Sequence, residues 1–204
     1  MDVSNSVDVG EYRIQVDGLA AALMDKEIAE ILVQDRVSLS VIQWSGADRQ
    51  NVSIDWQQMR NPADVAAFAN MTRALPRAFV LSDTAPAEAM MFAIDHFRSA
   101  PDCARWVVDM SGDGTANAGG SVATARRLAE RRGITFNALA IESIGLAITN
   151  YYRRNVLTQD GFVMSANGFQ DYPPMIREKL LRELRQLLGH GRGATPKIQF
   201  AQAH

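Results

Sequence analysis

Segments with a helical apolar period alternate with short β-branched runs along almost the whole chain, and this alternation constrains the fold more than any other feature. Asp8 is placed to cap a first helix with Glu11 as its partner, and Tyr12, Val16, Leu19 and Leu23 then share one face. Val37 to Trp44 reads as a strand stopped by Ser45-Gly46, and Val52, Ile54 and Trp56 alternate as in a half-exposed edge strand paired to it. Pro62 opens a helix through about Arg73. Thr84-Ala85-Pro86 opens another, with Ala87, Met90, Met91, Ile94 and Phe97 expected on its buried face.

Trp106-Val107-Val108 is a continuous apolar run, the pattern of a strand covered on both faces, and it breaks at Ser111-Gly112-Asp113-Gly114. A helix from Val122 to Arg132 ends at Gly133, Ile134 to Ile141 is again strand, and Gly161 to Met164 reads as a last short strand. The closing helix places Ile176, Leu180, Leu184 and Leu187 in register, with Pro173 and Pro174 before it and Gly189 after it. This order predicts an α/β fold with a doubly wound, mostly parallel sheet and helices on both faces. It predicts one domain over residues 1–188 and a loose tail over 189–204.

Composition narrows the functional classes. The chain has 204 residues, 47% of them hydrophobic and 22% charged, the balance of a folded globular domain. A net charge of −2 offers no basic field for nucleic acid. The arginines at 126, 127, 131 and 132 are interrupted by Glu130 and read as a solvated helix face. No apolar run approaches the ~18 residues of a membrane span. A single cysteine, Cys103, excludes an internal disulfide and any zinc site built on two thiolates. His96, His190 and His204 are scattered, and His96, between Asp95 and Arg98, is expected to be solvated.

Ligands in such folds bind at the carboxyl ends of the strands, and three polar clusters fall there. They are Asp2-Val3-Ser4-Asn5-Ser6, Ser82-Asp83-Thr84 and Ser111-Gly112-Asp113-Gly114. Asp2, Ser4 and Ser6 are two apart, so in extended backbone their side chains leave the same side. Carboxylates and hydroxyls gathered at one point are hard oxygen ligands, suited to Mg²⁺, Mn²⁺ or Ca²⁺. Each cluster also has a purely structural use. Ser6 or Asp8 caps a helix, Thr84 with Pro86 does the same, and Asp113-Gly114 makes a turn. Asp109 lies within a strand, where it satisfies backbone or faces a helix.

Asp-x-Ser-x-Ser, a distant Thr and a later Ser-Gly-Asp-Gly together resemble the metal-ion-dependent adhesion site of von Willebrand factor type A domains. The resemblance runs from Asp2 to about Leu188. More narrowly, Ser111-Gly112-Asp113-Gly114, Tyr151-Tyr152 with Asn155-Val156, and Lys179 to Glu183 resemble the bacterial domain-of-unknown-function 1194 group. The resemblance implies that Ser4, Ser6 and Thr84 bind Mg²⁺ (or Mn²⁺ or Ca²⁺) through hydroxyls, and Asp2 and Asp113 bind it directly or through water. It implies a protein-binding module, not an enzyme, whose open metal position accepts an acidic group of a partner. It also implies export to the periplasm or beyond the cell.

In that family an apolar strand precedes the first Asp and forms the middle of the sheet, whereas only Met1 precedes Asp2 here. The expectation is a sheet lacking its first central strand, with Met1 an internal methionine of a longer protein. Two other readings compete. One keeps the fold without the metal, as a structural interaction domain with a degenerate site. The other is Mg²⁺-dependent phosphoryl transfer, suggested by Gly112-Asp113-Gly114. It is disfavoured because Ser4 stands where a second aspartate is required and the lysines are only Lys26, Lys179 and Lys197.

Overall fold

The computed structural model describes residues 1–190, with the backbone alone for 186–190. Its helices are α1 (Val9–Leu23), α2 (Lys26–Gln34), α3 (Pro62–Arg73), α4 (Pro86–His96), α5 (Val122–Arg131), α6 (Ala147–Asn155) and α7 (Tyr172–His190). Its strands are β1 (Ser38–Trp44), β2 (Gln50–Gln58), β3 (Trp106–Gly112), β4 (Ile134–Glu142) and β5 (Val163–Asn167).

Local chemistry explains most boundaries. Asp8 and Glu11 close a reciprocal capping box on α1. Asn61 caps α3 with Pro62 at its first position. Gly133, at φ +66°, sits just past the end of α5, where a side chain would be strained. The helix α2 was not foreseen, although Asp25 caps it and Ile28, Ile31 and Leu32 form its buried row. Three expectations at helix ends and faces are corrected. Met91 turns to solvent, 43% exposed, because the buried row of α4 runs through Ala87, Met90, Ala93 and Ile94. Pro173 and Pro174 lie inside the first turn of α7, where their missing N–H groups cost no helical bond, and the helix continues through Gly189. The tail expected over 189–204 lies, from residue 191 onward, outside the described residues.

The strands form two sheets. In the first, β1 and β2 pair antiparallel; in the second, β3, β4 and β5 are parallel in that order. The strand β4 is buried throughout apart from Thr135, and it separates two apolar cores by simple alternation. Leu139 and Ile141 point to the core beneath α1, α2, α3 and α7. Ile134, Phe136, Ala138 and Ala140 point to the core beneath α4, α5 and α6. Helices therefore cover both faces, as a doubly wound fold requires.

Between β1 and β3 there is no strand among the described residues. The seam is bridged at one end only, by Met1 to Val3. The Val3 N–H donates to the Trp44 carbonyl at 2.9 Å, and the Asp2 N–H donates to the Ser111 carbonyl at 3.0 Å. Below this rung lies a cavity of about 230 Å³ lined by both strands and by helices from both layers. The open seam also corrects the expectation for Trp106-Val107-Val108, which are half-buried and not covered on both faces.

Candidate metal centre

The rung made by Met1 to Val3 is also what brings the three polar clusters together. Asp2 is fully buried where the chain crosses from β1 to β3. Its Oδ1 accepts the Ser4 N–H at 2.8 Å, a local turn that aims the following hydroxyls at the same point. The Ser6 hydroxyl donates to Asp113 Oδ1 at 2.7 Å, across 107 residues of sequence. Since that uses its only proton, the Ser4 hydroxyl, 3.2 Å away, is the donor between the two serines. The Asn5 N–H donates to the Ser82 carbonyl at 2.9 Å, tying the first cluster to the second.

The second cluster hangs from the end of β1. The Ala85 N–H donates to the Ser45 carbonyl at 2.8 Å, and the Ser45 hydroxyl donates to the Asp83 carbonyl at 3.0 Å. Thr84 is buried, and its N–H is held by Asn117 Oδ1 at 2.8 Å, so the third cluster's loop grips it. Its side chain lies beside Gly114: a Cβ on that glycine would stand 3.6 Å from Thr84 Oγ1. All five expected site residues, Asp2, Ser4, Ser6, Thr84 and Asp113, thus gather at the carboxyl ends of β1 and β3.

Two glycines and a tyrosine complete the arrangement. Gly112 is required by space, because a Cβ there would lie 2.8 Å from Asp2 Oδ2 and 2.4 Å from the Tyr152 hydroxyl. Asp2 Oδ2 and the Tyr152 hydroxyl are both buried and without a hydrogen-bond partner. Burial pushes the Asp2 carboxyl up to about 7, with the Asp113 carboxylate adding to the rise, and burial raises Asp113 as well. A fully buried carboxylate oxygen with no donor is an expensive feature unless something positive meets it. Divalent cations reverse that penalty and are satisfied by this mixture of carboxylate and hydroxyl oxygens. Among the described residues no three His, Cys, Asp or Glu side chains cluster, so any ion would depend on the hydroxyls.

Several sites outside the cluster differ from expectation. Asp109 faces a helix, where it pairs with Lys179 of α7, a lysine with no exposed side-chain surface that also meets Glu183 at 3.3 Å. His96 is not solvated: its side chain is 10% exposed, stacks on Trp56 at 5.0 Å, and shares a 2.9 Å hydrogen bond with Ser40. Ser40 spends its own proton on the Ile54 carbonyl at 2.8 Å, and Asp55 approaches the same ring nitrogen, so these three do not form a nucleophile–base–acid relay. That Asn117 holds Thr84 and that Lys179 meets Asp109 was missed, because these partners lie 33 and 70 residues apart and carry no local pattern.

The two-sided helical packing is that of a doubly wound α/β fold, and the solved structures that superimpose on it are von Willebrand factor type A domains. The mussel byssus proximal thread matrix protein 1 with a zinc-occupied MIDAS motif superimposes at TM-score 0.68 and 16% identity, over 91% of this chain and 46% of that one. A von Willebrand factor type A protein from Catenulispora acidiphila gives 0.63 and 15%, over 90% and 41%. Manganese-loaded TRAP protein from Plasmodium vivax gives 0.56 and 16%, over 88% and 70%. This chain spans less than half the length of the first two. No curated protein matches it by sequence. The chain belongs to the family described as "Protein of unknown function (DUF1194)", whose model matches residues 1–188.

Proposed function

We propose that this protein is a divalent-metal-dependent interaction module and not an enzyme. Asp2, Ser4, Ser6, Thr84 and Asp113 would hold Mg²⁺, Mn²⁺ or Ca²⁺, and a carboxylate on a protein partner would complete the coordination. The observation that carries this reading is Asp2 Oδ2, buried and undonated in a residue whose other carboxylate oxygen holds the Ser4 N–H at the start of the Ser4–Ser6–Asp113 chain. The ion supplies positive charge at that oxygen and an exchangeable position for an acidic group. The chain's own part is to fix Asp2 between the sheets, aim Ser4 and Ser6 through the Asp2 turn, and hold Thr84 through Asn117. Metal-loaded relatives of the fold, one with zinc and one with manganese, support the reading in general. Among the described residues no helix is long and apolar enough to cross a membrane, and by family likeness we place the protein in the periplasm or outside the cell.

A second reading has an observation of its own. The Ser4–Ser6–Asp113 chain of hydrogen bonds closes without an ion, as a metal-free structural interaction domain would need. Thermal unfolding in EDTA, then with millimolar Mg²⁺, Mn²⁺ or Ca²⁺, separates the two. A ligand that binds only the folded state raises Tm by mass action, by ~2.7 kcal/mol of stability at a hundredfold excess over Kd. A rise with any of the three ions supports the module; identical curves throughout leave the metal-free domain.

A further inference from the structure

The backbone groups of the first polar cluster are held one by one. The Val3 N–H donates to the Trp44 carbonyl, the Ser4 N–H to Asp2 Oδ1 and the Asn5 N–H to the Ser82 carbonyl. The Asp2 carbonyl accepts from Gln15 Nε2 at 3.1 Å. The next two carbonyls, of Val3 and Ser4, both accept from a single nitrogen, Arg77 Nη2, at 3.0 Å and 2.8 Å. In an extended strand successive carbonyls point to opposite sides, so one shared donor requires the chain to turn. It turns over Ser4 to Ser6, and the Val7 N–H closes the turn on the Ser4 carbonyl at 3.1 Å. That turn carries both serine hydroxyls toward Asp113.

Arg77 is itself fixed from both sides. Gln43 of β1, 1% exposed, brackets it: its Nε2 donates to the Pro76 carbonyl and its Oε1 accepts the Ala78 N–H, both at 2.9 Å. The Tyr12 hydroxyl of α1 donates to the Leu75 carbonyl at 3.0 Å, so the approach to Arg77 is anchored as well. The Arg77 Nε is buried without an acceptor, and the guanidinium stays on the two carbonyls against that desolvation cost. A planar fork held in this way loses little freedom when it donates, which suits it to fix a backbone and not merely to solvate it.

We infer that Arg77 is the positioning residue of the candidate metal centre, its clamp on the Val3 and Ser4 carbonyls setting the turn that presents the Ser4 and Ser6 hydroxyls. The inference rests on the metal reading and adds to it a residue 73 positions from Ser4 in the chain. A guanidinium beside a bound cation repels it, so by Coulomb's law alone Arg77 would weaken binding. Preorganisation has the opposite sign: without the clamp the two hydroxyls must be ordered at the moment the ion binds. The sign of the effect therefore separates the two roles.

The test uses the full chain well below its Tm, with Mn²⁺ as the probe and the electron paramagnetic resonance signal of the free ion as the readout. Arg77→Gln should weaken Mn²⁺ binding about 10- to 100-fold, the range for a residue that orients metal ligands from behind. Arg77→Lys keeps the charge and a donor, and should fall between wild type and Arg77→Gln. Unchanged or tighter binding in Arg77→Gln would overturn the proposal. Amide hydrogen exchange in EDTA forms the second arm. In Arg77→Gln the Asn5 and Val7 amides should exchange about tenfold faster, while the Tyr12 amide, bonded to the Asp8 carbonyl in α1, keeps its rate. Equal acceleration of all three would mean a general loosening and would overturn the positioning role, as would no acceleration at all. Wild type that binds no Mn²⁺ would overturn the metal reading, and with it the role of Arg77 toward an ion. The exchange arm would still show whether the clamp holds the turn, so the two failures are told apart.

Discussion

The two ends of the β1–β3 seam are built from the same pair of strands and could hardly differ more. At the carboxyl end a single backbone rung joins the sheets, and around it Asp2, Ser4, Ser6, Thr84 and Asp113 interlock through short hydrogen bonds. At the other end no described residue joins the edges, and the space is lined by apolar side chains with a buried ion cluster beside it. The difference teaches where order comes from in this fold. Two sheets held apart by one strand's width need a backbone to pair with, and side chains alone do not fill that width. The polar cluster is held together because it lies beside the three residues that supply such a backbone.

The comparison can be attacked first at the cavity wall. Lys179→Leu leaves Asp109 and Glu183 facing each other without a cation in a buried setting, and should cost about 3–5 kcal/mol in denaturant unfolding. A loss under 1 kcal/mol would mean that water already reaches this end of the seam. At the other end, Gly112→Ala drives a methyl against Asp2 Oδ2 and the Tyr152 hydroxyl. It should cost about 1–3 kcal/mol and remove any response to Mg²⁺. An unaltered response would show that Asp2 is not held by that close approach.

Asp113→Ala acts on the site more than on the fold. The side chain's one hydrogen bond comes from Ser6, in an exposed setting, so basal stability should change by less than about 1 kcal/mol while metal-dependent stabilisation is lost. A full Mg²⁺ response in this variant removes the carboxylate from the ligand set. The smallest effect is expected at His96, where burial lowers the imidazole pKa below its ordinary 6.5 against a weaker opposing pull from Asp55. The unfolded chain then binds the proton more readily, so this contribution is intact above the ordinary value of 6.5 and is lost as pH falls from there through the lowered native pKa. The difference in stability between wild type and His96→Gln, followed from pH 8 to 5.5, should shrink on acidification; a constant difference would mean that the ring is protonated equally in both states.

Much of this was legible because it is local. The Asp8–Glu11 box, the Pro62 and Pro86 helix starts and the Gly133 stop follow from chemistry within a few residues. The two-residue spacing of Asp2, Ser4 and Ser6, and the placing of Thr84 and Asp113 at element boundaries, were legible locally, while their joint role as a ligand set came from the family resemblance. What escaped was non-local. Nothing near Lys179 announces Asp109, seventy positions earlier in the chain, and nothing near Asn117 announces that it will hold Thr84. His96 looked solvated beside Asp95 and Arg98, yet tertiary packing laid it on Trp56 and against Ser40.

By itself the sequence determined the alternation of elements and the class of fold, because periodicity, capping and turn chemistry act over short distances, while the family followed from the resemblance of its motifs. Only the tertiary structure decided that Asp2 Oδ2 is buried without a donor, that Gly112 must lack a side chain, and that the sheet is split along β1 and β3. Those facts depend on which backbones come within hydrogen-bonding reach, and that is set by the packing of helices on both faces of the strands.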